Sequence, residues 1–453
     1  MIWKSRIKAE RCEEMKIVLL SGGSGKRLWP LSNDIRSKQF LKVVQNGAGE
    51  AESMLQRVYR QMQEAGLDAD ITVATSITQV EPIRGQLGDR VSVVVEPERR
   101  NTFPAIVLAA AYLYFEKHCS PEETMIVLPV DPYVGEEYFK MLECLDMAVQ
   151  DGVADIVLMG VRPTYPSEKY GYIIPAKLSG SLGKGEEILP VVEFKEKPDI
   201  HMAQKFIDKG GLWNCGVFAF RLSYLMSIVQ TMLEYGCYAD VEHQYGKLEK
   251  TSFDYAVVEK ADSVAVVAYN GEWKDLGTWN TLTEVMDEKP TGDVAVSGDC
   301  VNTHVINELE IPVVVMGTKD MVVAASPDGI LVADKVQSSY IKKYVEDRDL
   351  RPMFEERSWG EYTVLNISVD GGGKRAVTKK KLVQAGRKIE ETKHQHHLEV
   401  WTVLSGRAVI SVQGRKHEAL AGDTFTIRRG VAHSLQAEED VVLLEVQIEE
   451  DGD

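Results

Sequence analysis

The segment SGGSGKR, Ser21 to Arg27, sets Gly22, Gly23 and Gly25 directly before two cations, Lys26 and Arg27, and a third cation, Lys38, follows in RSKQFL. Glycines remove the Cβ that would keep backbone N–H groups away from an anion, and they permit positive φ. Full positive charges beside such a turn suit a polyphosphate. The spacing is neither G-x-x-x-x-G-K-[ST] nor G-x-G-x-x-G, so it matches neither a P-loop nor a dinucleotide fingerprint. Two aspartates, Asp131 after TMIVLPV and Asp275 in EWKDLGTW, each stand at an apparent strand end, where open α/β sheets bind their ligands. Such a pair suits Mg2+, which bridges phosphate oxygens and takes one or two protein carboxylates.

A second constellation lies near the C-terminus, where five of the nine histidines fall after residue 390: His394, His396, His397, His417 and His433. On a regular strand His394 and His396 share one face and Glu399 takes the opposite one, so a bulge or turn must bring Glu399 to them. His433 is placed to close the site from a later strand. Imidazoles with a carboxylate suit Zn2+, Fe2+, Mn2+ or Ni2+.

The elements that must position these groups are legible as pattern. Short apolar runs (KIVLLS, DITVAT, VSVVVE, TMIVLPV, ADIVLMGV) alternate with longer amphipathic or apolar stretches (ESMLQRVYRQMQEAG, AIVLAAAYLYFEKH, EEYFKMLECLDMAVQ). Strands buried on both faces and crossover helices read this way, predicting an α/β unit with a mixed, mostly parallel sheet over residues 15–290. DEKPTG interrupts the pattern, and residues 291–352 read as a small β connector with a turn at Pro327-Asp328-Gly329. Residues 353–453, with short strands and glycine turns, predict an all-β barrel. Residues 1–14 read as a flexible extension.

Composition bounds the partners. A formal charge of −17 over 453 residues opposes nucleic-acid or anionic-membrane binding, which depends on clustered Lys and Arg. There is no run of about 18 apolar residues and no signal-peptide h-region, and the six cysteines show no C-x-x-C pair. Together these predict a cytoplasmic protein with reduced, structural thiols.

The motifs LSGGSGKRLWPLS, SKQFL, EPERRNTFPAI, VLPVD, KYGYI, VVEFKEKPD, WNCGVFAF, FDYAVVEK and KDLGTW occur in the order of the mannose-1-phosphate guanylyltransferases, and the chain resembles that family from about Lys16 to Leu350. The resemblance implies a Rossmann-like nucleotidyltransferase domain that joins GTP and mannose 1-phosphate into GDP-mannose and pyrophosphate, with Mg2+. It implies that Gly22, Gly23, Gly25, Lys26, Arg27 and Asn101 bind the nucleotide, with Lys38 beside its phosphates. Glu196 and Lys197 are implied to meet the sugar hydroxyls and phosphate, Gly171 and Asn214 to line the sugar pocket, and Asp131 and Asp275 to hold Mg2+. Arg27, Lys38, Asp131, Lys197 and Asp275 are the expected catalytic groups, and self-association is expected. Ser37 replaces a usual proline, and VDPYV replaces the usual ADH. An alternative is the same chemistry with another base or sugar, and another is an inactive nucleotide-sugar sensor.

HQHHLEVWTVLSG and GDTFTIRRGVAH resemble the two cupin motifs, and in longer relatives this barrel is a mannose-6-phosphate isomerase. His394, His396, Glu399 and His433 are then the expected ligands of Zn2+ or another divalent metal. Thr392, His397 and Val400 replace the usual glutamine, arginine and second histidine, and the chain ends at EVQIEEDGD without the usual isomerase ending. A metal-binding barrel with little isomerase activity is therefore expected, with a bifunctional enzyme as the alternative.

Overall fold

The computed structural model describes residues 15–23, 25–176, 188–286, 289–346 and 351–449; the expected extension 1–14 lies outside them. The chain divides into two compact units. The first comprises Met1–Gly23, Met54–Val80 and Asp89–Leu276, and the second Ser24–Ser53, Glu81–Gly88 and Gly277–Asp453.

The first unit is built on a nine-stranded mixed sheet. In spatial order its strands are Ser92–Glu96, Ala69–Ser76, Met15–Ser21, Thr124–Pro129, Leu212–Arg221, Ile156–Val161, Val264–Tyr269, Ile188–Lys195 and Tyr172–Pro175. The first four run parallel, and Leu212–Arg221 is antiparallel to both of its long neighbours. Ile17, Val18 and Leu19 are fully buried, each contributing about 1.5–3 kcal/mol relative to exposure. Against the sheet lies the helix Thr102–Phe115, of which ten residues are buried; a helix apolar all round belongs inside a core. Its start is set by Asn101, which has φ 73° and accepts a hydrogen bond from the Thr102 N–H. Such a cap satisfies one of the helix's orphan donors.

The second unit holds the connector and the barrel, together with the segment carrying Lys26, Arg27 and Lys38. Arg36 donates to both Glu308 oxygens at 2.8 and 2.9 Å, Asn33 donates to Asp328 at 2.6 Å, and the Ser326 hydroxyl donates to the Pro30 carbonyl at 2.7 Å. A bidentate Arg–carboxylate pair fixes orientation as well as distance, which is why this segment packs with the connector. The connector contains the three-stranded sheet His304–Asn307, Met321–Ser326 and Gly329–Asp334.

The barrel has a six-stranded sheet and a four-stranded sheet of Lys388–Thr392, His433–Ala437, Ala408–Val412 and Arg415–Ala419. Trp401, Val403 and Leu443 from the larger sheet share one buried cluster with Ile389, Ile410 and Leu435 from the smaller. Side chains that alternate along each strand thus fill a common interior.

Candidate functional site

At the carboxyl ends of the parallel strands the first unit has a cavity of about 230 Å³, lined by Gly22, Gly23, Glu96, Arg99, Asn101 and Thr102, with apolar walls from Leu20, Ala74 and Ala105. The N-terminus of the helix Thr102–Phe115 contributes to this lining, and its first N–H groups are already engaged, Thr102 with the Asn101 side chain and Phe103 with the Thr251 carbonyl at 3.2 Å, so the helix offers the cavity its dipole alone. Glu96 is the last residue of its strand and 8% exposed. Its Oε2 accepts a hydrogen bond from the Tyr245 hydroxyl at 2.7 Å. Burial pushes the Glu96 carboxyl up, and the Tyr245 hydrogen bond and nearby Arg99 only partly offset this.

The expected cations Lys26, Arg27 and Lys38 lie in the second unit. Arg27 is exposed, Lys26 pairs with Asp34 at 3.5 Å, and Lys38 opens a short turn, Lys38–Phe40. Gly25 has a local reason to be glycine: a Cβ there would overlap the Asn33 carbonyl and crowd the backbone of Ser37.

Asp131 and Asp275 are brought together by a two-stranded ribbon. Pro132–Val134 runs antiparallel to Trp273–Asp275 with Asp275 opposite Pro132, so Asp131 is one residue from the position facing Asp275. Both are half-buried. Half-buried carboxylates on adjoining backbone are the kind of ligand that Mg2+ takes.

Gly171, Glu196, Lys197 and Asn214 also converge. The Asn214 N–H donates to the Gly171 carbonyl at 2.8 Å. The Lys197 ammonium donates to Glu196 at 2.5 Å, from a backbone held at φ 45°. Burial pushes the Glu196 carboxyl up. For Lys197 burial acts downward, but the hydrogen bond and charge of Glu196 override it and the ammonium is raised. Asp254, not singled out from the sequence, completes the group: it accepts from the Asn214 amide at 2.6 Å, and burial raises its carboxyl. The Asn214 side-chain oxygen accepts from Gly216 N–H at 3.1 Å, so both ends of the amide are held. Tyr170 packs on Trp213 and Trp273 at centroid distances of 4.9 and 5.3 Å, forming an aromatic wall whose residues adjoin Gly171, Asn214 and the Asp275 strand in sequence.

In the barrel, donor atoms of His394, Glu399 and His433 lie within 4.8 Å of one another. His394 and His433 approach different oxygens of Glu399 at 3.2 and 3.3 Å, and Trp401 Nε1 donates to Glu399 at 2.9 Å. Burial alone would raise the Glu399 carboxyl, but the His433 hydrogen bond and the charge of Lys381 hold it well below the usual carboxylate range. His433 Nδ1 lies 2.9 Å from the Val431 carbonyl, the outer contact that orients a ligating imidazole.

His396 does not join this group. The strand Lys388–Thr392 ends before it, the next begins at His397, and His396 is exposed in the intervening turn. Two-residue alternation holds only within a strand, so sharing a face with His394 does not apply. His397 instead shares Glu399's face, with Nε2 3.0 Å from Glu399 Oε1. The turn the sequence demanded for Glu399 is there.

Residues 16–291 match the nucleotidyl transferase family, and residues 381–447 match the cupin domain. The chain is 28% identical over 453 residues to a mannose-1-phosphate guanylyltransferase of Salmonella montevideo, covering 92% of each protein. It is 31% identical over 428 residues to the alginate biosynthesis protein AlgA of Pseudomonas putida, covering 87% of this chain and 84% of that protein. A Thermus thermophilus crystal structure described as a mannose-1-phosphate geranyltransferase superposes with a TM-score of 0.59 at 29% identity, covering 74% of this chain and 98% of that one. With the cavity beside Gly22, the ribbon that carries Asp131 and Asp275 and the polar group around Gly171 all in its first unit, the chain belongs to the nucleotidyl transferases, in the mannose-1-phosphate guanylyltransferase family of the form that carries a C-terminal cupin domain.

Proposed function

We propose that this protein transfers GMP from GTP to mannose 1-phosphate, forming GDP-mannose and pyrophosphate. The observation that carries the reading is the group of Gly171, Glu196, Lys197 and Asn214, a cation and hydroxyl-binding groups held together by short contacts. In this reading the Lys197 ammonium holds the sugar phosphate, Glu196 and Asn214 take sugar hydroxyls, and the aromatic wall covers the sugar's apolar face. Gly22, Gly23, Gly25, Lys26 and Asn101 seat the nucleotide, and Arg27 and Lys38 neutralise its phosphates.

A phosphate oxygen of mannose 1-phosphate attacks the α-phosphorus of GTP, and the bond from that phosphorus to the bridging oxygen breaks, so pyrophosphate leaves with the electron pair. No proton moves, and the protein's work is alignment of two anions and balancing of charge. Asp131 and Asp275 would hold Mg2+, which when bound supplies positive charge to the phosphate oxygens.

The barrel, in the same reading, holds one divalent metal on His394, Glu399 and His433. A cytoplasmic location accords with the substrates; among the described residues no helix is long and apolar enough to cross a membrane. The test is release of pyrophosphate from GTP, mannose 1-phosphate and Mg2+. Absence of release with every pairing of nucleoside triphosphate and hexose 1-phosphate would sink the proposal.

A further inference from the structure

Asp131 stands beyond the end of the strand Thr124–Pro129, directly before the ribbon of Pro132–Val134 and Trp273–Asp275. Among the described residues neither strand of that ribbon pairs with a third. An isolated two-stranded pair is marginally stable in water, so the place of Asp131 depends on what else holds the ribbon.

The helix Met54–Glu64 holds it with two side chains one turn apart. Gln61, 3% exposed, donates to the Val134 carbonyl at 3.0 Å, and Arg57 donates to the same oxygen at 3.3 Å. Residues i and i+4 share a helix face, which is why both reach one acceptor. The Arg57 guanidinium also lies over the Tyr133 ring, 4.5 Å from its centroid. A guanidinium over an aromatic face is attracted by the ring's quadrupole. Arg57 thus grips two successive residues, one by its ring and the other by its backbone. Tyr133 belongs to VDPYV, the stretch that departs from the ADH usual in the family, so the departure falls on a residue that the helix holds.

We propose that Arg57, by stacking on Tyr133 and binding the Val134 carbonyl, is a positioning residue that keeps Asp131 in place beside Asp275 for the divalent metal. The inference rests on the reading of Asp131 and Asp275 as Mg2+ ligands. Metal ligands are commonly oriented by groups that do not touch the ion, and Arg57 acts here through the backbone and ring of the ligand's chain neighbours.

The experiment compares R57A, Y133L and Y133F with D131N and the wild type. Mn2+ bound by the full-length protein is followed through the electron paramagnetic resonance signal of the free ion. A Mn2+ site that the wild type has and D131N lacks belongs to the aspartate pair, apart from any ion in the barrel. R57A is expected to weaken that site about 10-fold. Y133L keeps bulk without a π face and leaves the helix untouched, so it repeats the test should R57A fail to fold. It is expected to weaken the site several-fold, whereas Y133F, which keeps the ring, stays within about 2-fold of wild type. In turnover, R57A is expected to raise the Mg2+ concentration for half-maximal rate about 10-fold, with KM for mannose 1-phosphate within a few-fold, a split that general loosening of the fold does not produce. Adding R57A to D131N should leave kcat unchanged, because a residue acting through Asp131 has nothing left to act on. Wild-type Mn2+ affinity in R57A or Y133L would overturn the inference, as would a further loss of kcat of about 10-fold when R57A is added to D131N. Equal Mn2+ binding by wild type and D131N would instead sink the metal assignment of the aspartates, and the role of Arg57 with it.

Discussion

A Cβ on Gly171 would overlap the Glu196 carboxylate and stand 3.3 Å from Cβ of Asn214. A methyl group at Gly171 therefore pushes the Glu196 carboxylate, which is buried and paired with Lys197, out of its place. G171A is expected to lower kcat/KM for mannose 1-phosphate by roughly 100-fold, the scale of a displacement near 1 Å, while circular dichroism stays native. Unchanged steady-state kinetics would remove Gly171 and Glu196 from the sugar site.

Asp275 stands opposite Pro132, one residue from Asp131, and in the proposed reading both carboxylates serve one Mg2+. D131N and D275N are each expected to reduce kcat by roughly 10²- to 10³-fold, the scale of removing one group that stabilises transition-state charge, without loss of fold. Near-normal Mg2+-dependent turnover in either variant would refute that residue's assignment.

Asp254 yields a prediction in pH. Burial raises its carboxyl above the ordinary 3.8, although the Asn214 hydrogen bond acts downward. An acid raised by folding contributes stability that is present in full below its unfolded value and lost as pH rises through the folded value. D254N keeps an acceptor for Asn214 and carries no charge. The melting temperature of D254N relative to wild type is therefore expected to climb as pH rises above the ordinary 3.8. A difference independent of pH would mean that Asp254 is not held raised. A rise in KM for mannose 1-phosphate in D254N would further identify it as positioning Asn214.

Metal content separates the barrel histidines. Protein purified without chelator is expected to hold about one first-row divalent ion per chain by elemental analysis. H394A and H433A should lose it, and H396A should retain it because His396 lies in an exposed turn. Loss in H396A with retention in H394A would reverse the assignment.

The sequence by itself determined which residue types stand at strand ends and turns. Runs such as KIVLLS and TMIVLPV must be buried whatever the tertiary arrangement, and the glycines after Ser21 and the aspartate after Val130 follow at a fixed chain distance. Local alternation and turn chemistry carry that information. What only the tertiary structure decided are the partnerships across the chain. Glu96 meets Tyr245 across 149 positions and Asn214 meets Asp254 across 40, and no local period links such pairs, because strand order and helix packing bring them together. The barrel shows the same limit at short range. Counting by twos linked His394 to His396, but the strand ends at Thr392 and the turn restarts the alternation at His397, so Glu399 gained His397 as its neighbour and His396 went to solvent.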